Sequence, residues 1–285
     1  MTALRQKMID QMTLRGFSPR THRSYLEAVN GLARYYHRAP DQLSRKQIQD
    51  YLLYLERERR LSWSSRNVAV SAFRFLYGQT LGWDKEAIAI PRRQKETRLP
   101  EVLSPREVFR LVAAVANLKH RTLLMTAYAA GPRVSELLHL RVSDVDSARM
   151  TIRIEQGKGR KDRYTILSPG LLEQLRDYWK AFRPTSWLFP GKTPDKPLDI
   201  SAAQKVYNIA KLRTGIHKGR GIHTLRHCFA THLLEAGVDL ATIQSLMGHN
   251  DINTTMRYLK IRRHRFDPGP DPLDLLALPP QTPGQ

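Results

Sequence analysis

A single cysteine, Cys228, stands in a chain of 285 residues. It excludes an internal disulfide and a thiolate zinc module, and it fits a reducing compartment. No run approaches the ~18 consecutive apolar residues of a membrane helix. Residues 1–16 carry charges throughout and lack an apolar signal core, so the expected location is the cytoplasm. Acidic residues are scarce: 26 Asp and Glu face 47 Lys and Arg, a formal charge of +21. A surplus of that size attracts polyanions. No basic amphipathic helix ends in an apolar anchor, so nucleic acid rather than a membrane surface is the expected partner. Hydrophobic residues, at 41%, are plentiful enough to exclude wholesale disorder.

The pattern predicts a mainly α-helical chain with a small β-hairpin, in two domains. Residues 1–90 read as a helical bundle. Leu4, Met8 and Met12 share a face before Gly16, and Ser18-Pro19 caps a helix carrying Tyr25, Val29, Leu32 and Tyr36. Ser44 caps a third helix, and a fourth, with Val68, Ala72, Phe75 and Leu76, is expected to stop near Gly78 or Gly82. Tyr25, Tyr51, Trp63 and Phe75 read as core. Residues 91–103 form a polar, basic linker containing Arg92, Arg93, Lys95 and Arg98. Residues 104–265 form a mixed second domain that opens on the capping box Ser104-Pro105-Arg106-Glu107. Its alternating Met150, Ile152, Ile154 and Tyr164, Ile166 predict a hairpin with a glycine-bearing basic turn. Helices follow near 200–213, 224–236, 240–247 and 252–263. Residues 266–285 form a proline-rich tail. The positive charge divides almost evenly between the two halves, which suits a clamp around a duplex.

Single polar residues of the second domain are unremarkable, but their order is not. Arg133 and Glu136 follow Ala129-Ala130-Gly131-Pro132; Lys158 lies in a Gly-Lys-Gly turn; His223, Arg226 and His227 open a helix; His249 follows Leu246-Met247-Gly248; Tyr258 comes nine residues later. With the string HTLRHCFATHLLEAGVDLATIQSLMGHNDINTTMRY, the chain resembles a tyrosine recombinase of the phage-integrase family along nearly its whole length. The resemblance is to the simple two-domain recombinases of mobile elements and chromosome-dimer resolution.

The resemblance implies a core-binding, SAM-like N-terminal bundle and a catalytic domain of tyrosine recombinase type. It implies Tyr258 as nucleophile, forming a 3′-phosphotyrosine. Arg133 and Arg226 would hold the non-bridging oxygens, a task suited to planar, permanently charged guanidinium groups. Lys158 would protonate the departing 5′ oxygen. His223 would assist proton transfer from the phenol, His249 would hydrogen-bond the phosphate, and Glu136 and His227 would support them. These arginines, the lysine and the two histidines would supply the positive charge, so no metal or other cofactor is expected, and the covalent intermediate would keep the diester bond energy, so rejoining would need no ATP. A zinc reading of His223, His227 and His232 lacks a completing carboxylate or cysteine. Arg160, Lys161 and Arg163 beside the turn, like the linker cations, would contact phosphates.

Double-stranded DNA is the implied partner, with a tetramer forming on two sites, a Holliday junction as intermediate and room for a related second recombinase. The tail could dock on a neighbouring protomer. A type IB topoisomerase-like enzyme shares the chemistry, and a non-catalytic DNA-binding relic shares the fold. One departure matters. Pro132 stands where the family has an ordinary apolar residue, and by restraining Gly131 it is expected to disturb Arg133. The compact stretch between Phe189 and His223 lacks the extra insertion of an integron integrase, and the lack of an arm-type domain before residue 1 argues against a large phage-type integrase, so a simple mobile-element recombinase is expected, with a chromosome-resolving enzyme close behind.

Overall fold

Four serines, each followed by a helical run, begin four helices by the same chemistry. Ser18, Ser44, Ser62 and Ser104 each accept a hydrogen bond from the backbone N–H three residues on. Gln47 and Glu107 return the bond to the backbone of Ser44 and Ser104. Such a cap is worth about 1 kcal/mol, enough to fix where a marginal helix starts. The computed structural model describes residues 2–84, 100–155, 162–249 and 251–259. The chain divides into two units, Met1–Thr97 and Arg98–Gln285.

The first unit holds α1 (Ala3–Leu14), α2 (Pro19–Tyr36), α3 (Arg45–Arg57) and α4 (Trp63–Phe73). Met8, Met12, Leu32, Ile48, Ala72 and Phe73 meet in its core. Tyr51 and Phe75 are buried there, while Tyr25 and Trp63 are half-buried. The helical run passes Gly78 and ends just before Gly82, the second of the two expected stops, after α4 widens into a π-helical turn, Arg74–Thr80. In this wider spiral three consecutive side chains, Phe75, Leu76 and Tyr77, are buried in the core. Tyr77 donates its hydroxyl to the Pro40 carbonyl at 2.7 Å, so the buried phenol keeps a partner.

The second unit begins with α5 (Pro105–Ala113), α6 (Leu118–Ala129) and the short α7 (Val134–Leu138). An antiparallel sheet follows, in order β1 (Val145–Asp146), β2 (Thr151–Ile154), β3 (Arg163–Ile166). Ile152 pairs with Thr165 and Arg153 with Tyr164. Ile152 and Ile154 point into the core, as their alternation requires. The sequence pattern foresees the hairpin but not β1, a two-residue strand too short for any periodicity. Then come α8 (Pro169–Phe182), α9 (Ile200–Thr214), α10 (His223–Glu235), α11 (Leu240–Met247) and α12 (Ile252–Met256). Helix α10 is buried on nearly every side, from Thr224 through Thr231. A polar side chain it carries is therefore costly unless it finds a partner inside the protein. Among the described residues no helix is long and apolar enough to cross a membrane.

The entry to the second unit is fastened to α10. The Leu103 N–H donates to the Cys228 sulfur, and the Leu103 carbonyl accepts from His232 Nε2 at 2.9 Å. Because a carbonyl only accepts, Nε2 carries the proton, and Nδ1 accepts from the Tyr128 hydroxyl at 2.9 Å. Burial pushes the Cys228 thiol up to about 11, so it is an inert packing residue.

Candidate active site

The last carbonyls of a helix lack intrahelical donors and carry the negative end of its dipole. At the end of α11 each is met by a different arginine. Arg163 donates to Leu246 O at 3.0 Å, Arg226 to Met247 O at 2.6 Å and Arg133 to Gly248 O at 2.8 Å. Gly248, with φ +62°, closes the helix, and a Cβ there would meet Arg163 Cδ at 2.7 Å. A glycine is thus required both by the turn and by the guanidinium stem packed against it.

One carboxylate gathers the same three arginines. Glu136 accepts from the Arg133 backbone N–H and Nη1, both at 2.7 Å. It accepts a two-pronged contact from Arg163, at 3.0 and 2.6 Å, and lies 3.9 Å from Arg226 Nη1. Burial alone would raise this carboxyl, but the hydrogen bonds from Arg163 and Arg133 outweigh it and hold it at about 2. Burial and Arg133 bring Arg226 down to about 10, still protonated at neutral pH. Three guanidinium groups and one carboxylate leave a surplus of two positive charges. Arg133 is the most open of the three, its side chain 22% exposed against 11% for Arg163 and 3% for Arg226.

Pro132 does not displace Arg133. It is buried just before the helix, and Arg133 behind it takes the N-cap position of α7 with its side chain on Glu136 and Gly248. The tight feature is Gly131, at φ +60°, where a Cβ would overlap the Phe229 ring. Its carbonyl accepts from Arg226 Nη1 at 2.6 Å. Pro132→Leu is accordingly expected to change the rate of strand cleavage by less than about threefold, because leucine restores an N–H without altering the cap geometry. A loss of about tenfold or more in a single-turnover assay would show that the ring itself holds Gly131.

Tyr258 packs in a small apolar cluster with Phe229, Leu234, Ile243 and Met247. Its hydroxyl lies 3.0 Å from His227 Nδ1, and its ring stacks on His249 with an interplanar angle of 8°. The expectation paired the phenol with His223. The contact instead belongs to His227, and His223 meets His227 edge-on, with ring centroids 4.9 Å apart. Residues 223 and 227 are one helical turn apart on α10, and the residue nearer Tyr258 is the inner one. Burial pushes the Tyr258 phenol up to about 12, against the pull of Arg226, Arg257 and Arg133.

The histidines are not cationic, contrary to the expectation that they share in the positive charge. Burial, then Arg226 and Arg133, push His249 down to about 3. Burial, then His223 and Arg226, push His227 down to about 4. His223 is exposed at its edge, yet the surrounding protein and the same arginines lower it too. His249 Nε2 lies 3.2 Å from Arg226 Nη2, which can only donate, so Nε2 accepts. The proton of this neutral ring then sits on Nδ1, 2.8 Å from Thr255 Oγ1.

Stability should therefore fall with acidification. Neutral folded histidines take up protons on unfolding once the pH drops below about 6.5, until the folded rings titrate near 4 and 3. Glu136 adds to the loss between about 4.5 and 2, where the unfolded carboxyl is protonated and the folded one is not. The melting temperature at about pH 5 is expected below that at about pH 7.5 in the same salt. An equal or higher value would mean the folded histidines are charged.

Arg163 is engaged inside the protein: Nη1 and Nη2 donate to Glu136 and Nε to Leu246 O, so only its remaining N–H groups are left for a phosphate. Lys158, Arg160, Lys161, Arg92, Arg93, Lys95 and Arg98 lie outside the described residues, as does the tail. His232 is engaged at Leu103 and Tyr128, away from His223 and His227. Among the described residues no three His, Cys, Asp or Glu converge as a metal site. Sequence reasoning missed Thr255, fully buried beneath His249, although it stands three residues before Tyr258 in the string that carries the resemblance. It also missed the carbonyls of Gly131, Met247 and Gly248, since a backbone acceptor leaves no mark in side-chain identity.

Comparison with known proteins adds to this geometry. The model of the Phage integrase family matches residues 101–265, and that of the phage integrase N-terminal SAM-like domain matches residues 4–86. A Sinorhizobium fredii protein, y4qK, is 45% identical over 284 residues, covering 99% of this chain and 92% of that one. Tyrosine recombinase XerA of Pyrococcus horikoshii is 35% identical over 217 residues, covering 74% of this chain and 75% of its own. Among solved structures, XerA recombinase aligns over 90% of this chain and 92% of that one, at 27% identity and a TM-score of 0.52. A lambda integrase(75-356) dimer bound to a COC′ core site covers 88% and 96%, at 18% identity and a TM-score of 0.71, a likeness of fold.

Proposed function

The chain belongs to the phage integrase family, and from that premise we propose that it is a site-specific DNA recombinase whose nucleophile is Tyr258. The phenol oxygen attacks the scissile phosphate, the bond to the 5′ oxygen breaks, and the DNA 3′ end is held as a phosphotyrosine. Lys158 gives the leaving 5′ oxygen its proton. Arg133 and Arg226 hold the non-bridging oxygens. Each guanidinium has five N–H donors. The contacts described take two from the Arg133 side chain and three from Arg226, leaving others for phosphate. The surplus of two positive charges matches a five-coordinate transition state, which carries one more negative charge than the resting diester. Fixed cations thus act most strongly where the barrier is highest.

The proton on Tyr258 passes to His227, with His223 behind it. With the phenol near 12 and the imidazole near 4, the proton stays on oxygen in the free protein. It moves only as the new P–O bond withdraws electron density from the phenol. The nucleophile is therefore quiet until a phosphate is seated, which protects the enzyme against idle attack.

Because the phosphotyrosine keeps the energy of the diester, the reverse attack by a 5′ hydroxyl rejoins the strand without ATP. On two DNA sites, four protomers exchange one strand pair at a time through a Holliday junction, and a related second recombinase could fill half of the positions. A SAM-like domain followed by the catalytic domain suits a mobile-element recombinase or a chromosome-dimer resolving enzyme.

The observation that carries the reading is the stack of Tyr258 on His249, with Arg226 on the far nitrogen of that ring and His227 on the phenol. The test is covalent trapping on a pool of nicked bacterial duplexes in EDTA. A protein–DNA adduct that survives denaturation is expected, with the nucleotide on the Tyr258 peptide by mass spectrometry. Sequencing of the trapped DNA then gives the target site. An adduct on another residue would remove Tyr258 from its role.

A further inference from the structure

Arg163 opens β3 and takes no part in the steps above. Its Nη1 and Nη2 meet the two oxygens of Glu136, its Nε meets Leu246 O, and its stem fills the space beside Gly248. One side chain therefore touches both the carboxylate that orients Arg133 and the two-residue neighbourhood from which His249 projects. We propose that Arg163 is a positioning residue of the cleavage reaction, locking Glu136, and through it Arg133, to the C-terminal end of α11. The proposal rests on the reading of Arg133 as a phosphate ligand.

The geometry explains why a second arginine is needed. A carboxylate held from one side can rotate about its last bond. Arg133 occupies one edge of Glu136 with its backbone N–H and Nη1, and the Arg163 fork closes the other. A planar, two-pronged donor fixes a carboxylate plane as a lysine cannot. Misplacing a catalytic group by about 1 Å can cost about 10²-fold in rate, so an unlocked Glu136 should be felt at the phosphate through Arg133.

The groups facing Glu136 are Arg133 from α7, Arg163 from β3, and Arg226 and His223 from α10. The first three are cations, and His223 is neutral. Removing the Arg163 charge raises the Glu136 carboxyl from about 2 toward the ordinary range. Its protonation below that range then releases Arg133, so activity falls on the acid side. The wild-type enzyme lacks that limb because its carboxyl stays ionised.

The test uses the full chain with Arg163→Lys and Arg163→Gln, on the nicked duplex recovered by trapping. Adduct formation is followed in single turnover and DNA binding by anisotropy across a salt series. Arg163→Lys is expected to slow the adduct about 10- to 100-fold, with affinity within about threefold and an unchanged salt slope. Arg163→Gln is expected to add an acid limb between about pH 4 and 6. A loss of affinity with a log–log salt slope shallower by about 0.9 would make Arg163 a phosphate contact and overturn the proposal. So would wild-type rates in both variants, or an equal loss at every pH in Arg163→Gln. If the glutamine variant does not fold, the lysine variant decides by its split between rate and affinity. Wild-type protein run beside them separates the two failures: no Tyr258 adduct there sinks the recombinase reading and this proposal with it, whereas a normal wild-type adduct confines any failure to Arg163.

Discussion

Tyr258→Phe is expected to abolish the covalent adduct, by more than about 10⁴-fold, while DNA affinity stays within about twofold of wild type. The substitution removes one oxygen and keeps the ring that packs on Phe229, Ile243 and Met247. Its structural cost is the hydrogen bond to His227, about 1 kcal/mol, so the fold survives. Among the described residues no other side chain of the site can take over. Thr255 is buried beneath His249 with its hydroxyl on the ring, and the Cys228 thiol, held near 11, faces Leu103. An adduct that persists in the phenylalanine protein, seen on a denaturing gel with labelled DNA, would assign the nucleophile elsewhere.

Arg226→Lys is expected to cost at least about 10³-fold in cleavage rate and roughly 3 kcal/mol in stability. Arg226 is 2% exposed and reaches Gly131 O, Met247 O and His249 Nε2 at once. An ammonium is compact and strongly hydrated and cannot span three acceptors around a plane. The substitution leaves buried carbonyls without donors, each worth about 1–3 kcal/mol, and removes a cation aimed at the phosphate. Single-turnover trapping gives the rate and thermal unfolding the stability. A lysine variant within about tenfold of wild type in rate would place Arg226 in the scaffold rather than at the phosphate.

Much of the fold is legible because its signals are local. Ser18-Pro19, Ser44 and Ser104-Pro105 mark helix starts with residues whose hydroxyls meet backbone donors three positions on, and the alternation around Ile152 needs no distant partner. The π-turn after Phe73 and the strand β1 are not legible. The first lies in the packed core of the bundle, where Phe75, Leu76 and Tyr77 are buried, and the second forms where β2 offers an edge. Both settings are tertiary. The candidate site divides in the same way. Arg133, Glu136, His223, Arg226, His249 and Tyr258 stand out by type and order. Charge state and partnership do not. The neutrality of the histidines follows from burial beside arginines contributed by α7, β3 and α10. The engagement of Arg163 follows from a carboxylate 27 positions away in the chain.

The fastening of Leu103 bears on where the catalytic half can be cut from the whole. The capping box at Ser104 looks like a natural beginning, and a fragment trimmed to it would keep every helix of the second unit. It would lose the backbone that holds His232 and Cys228, and also Glu101, whose carboxylate accepts from Gly219 N–H at 2.7 Å just ahead of α10. The helix bearing Arg226 would then have lost the Leu103 partner of buried Cys228 and of His232 Nε2, and would have a slack approach loop. The last residues of the connecting segment are structural members of the half they lead into, so a minimal fragment must begin upstream of Glu101.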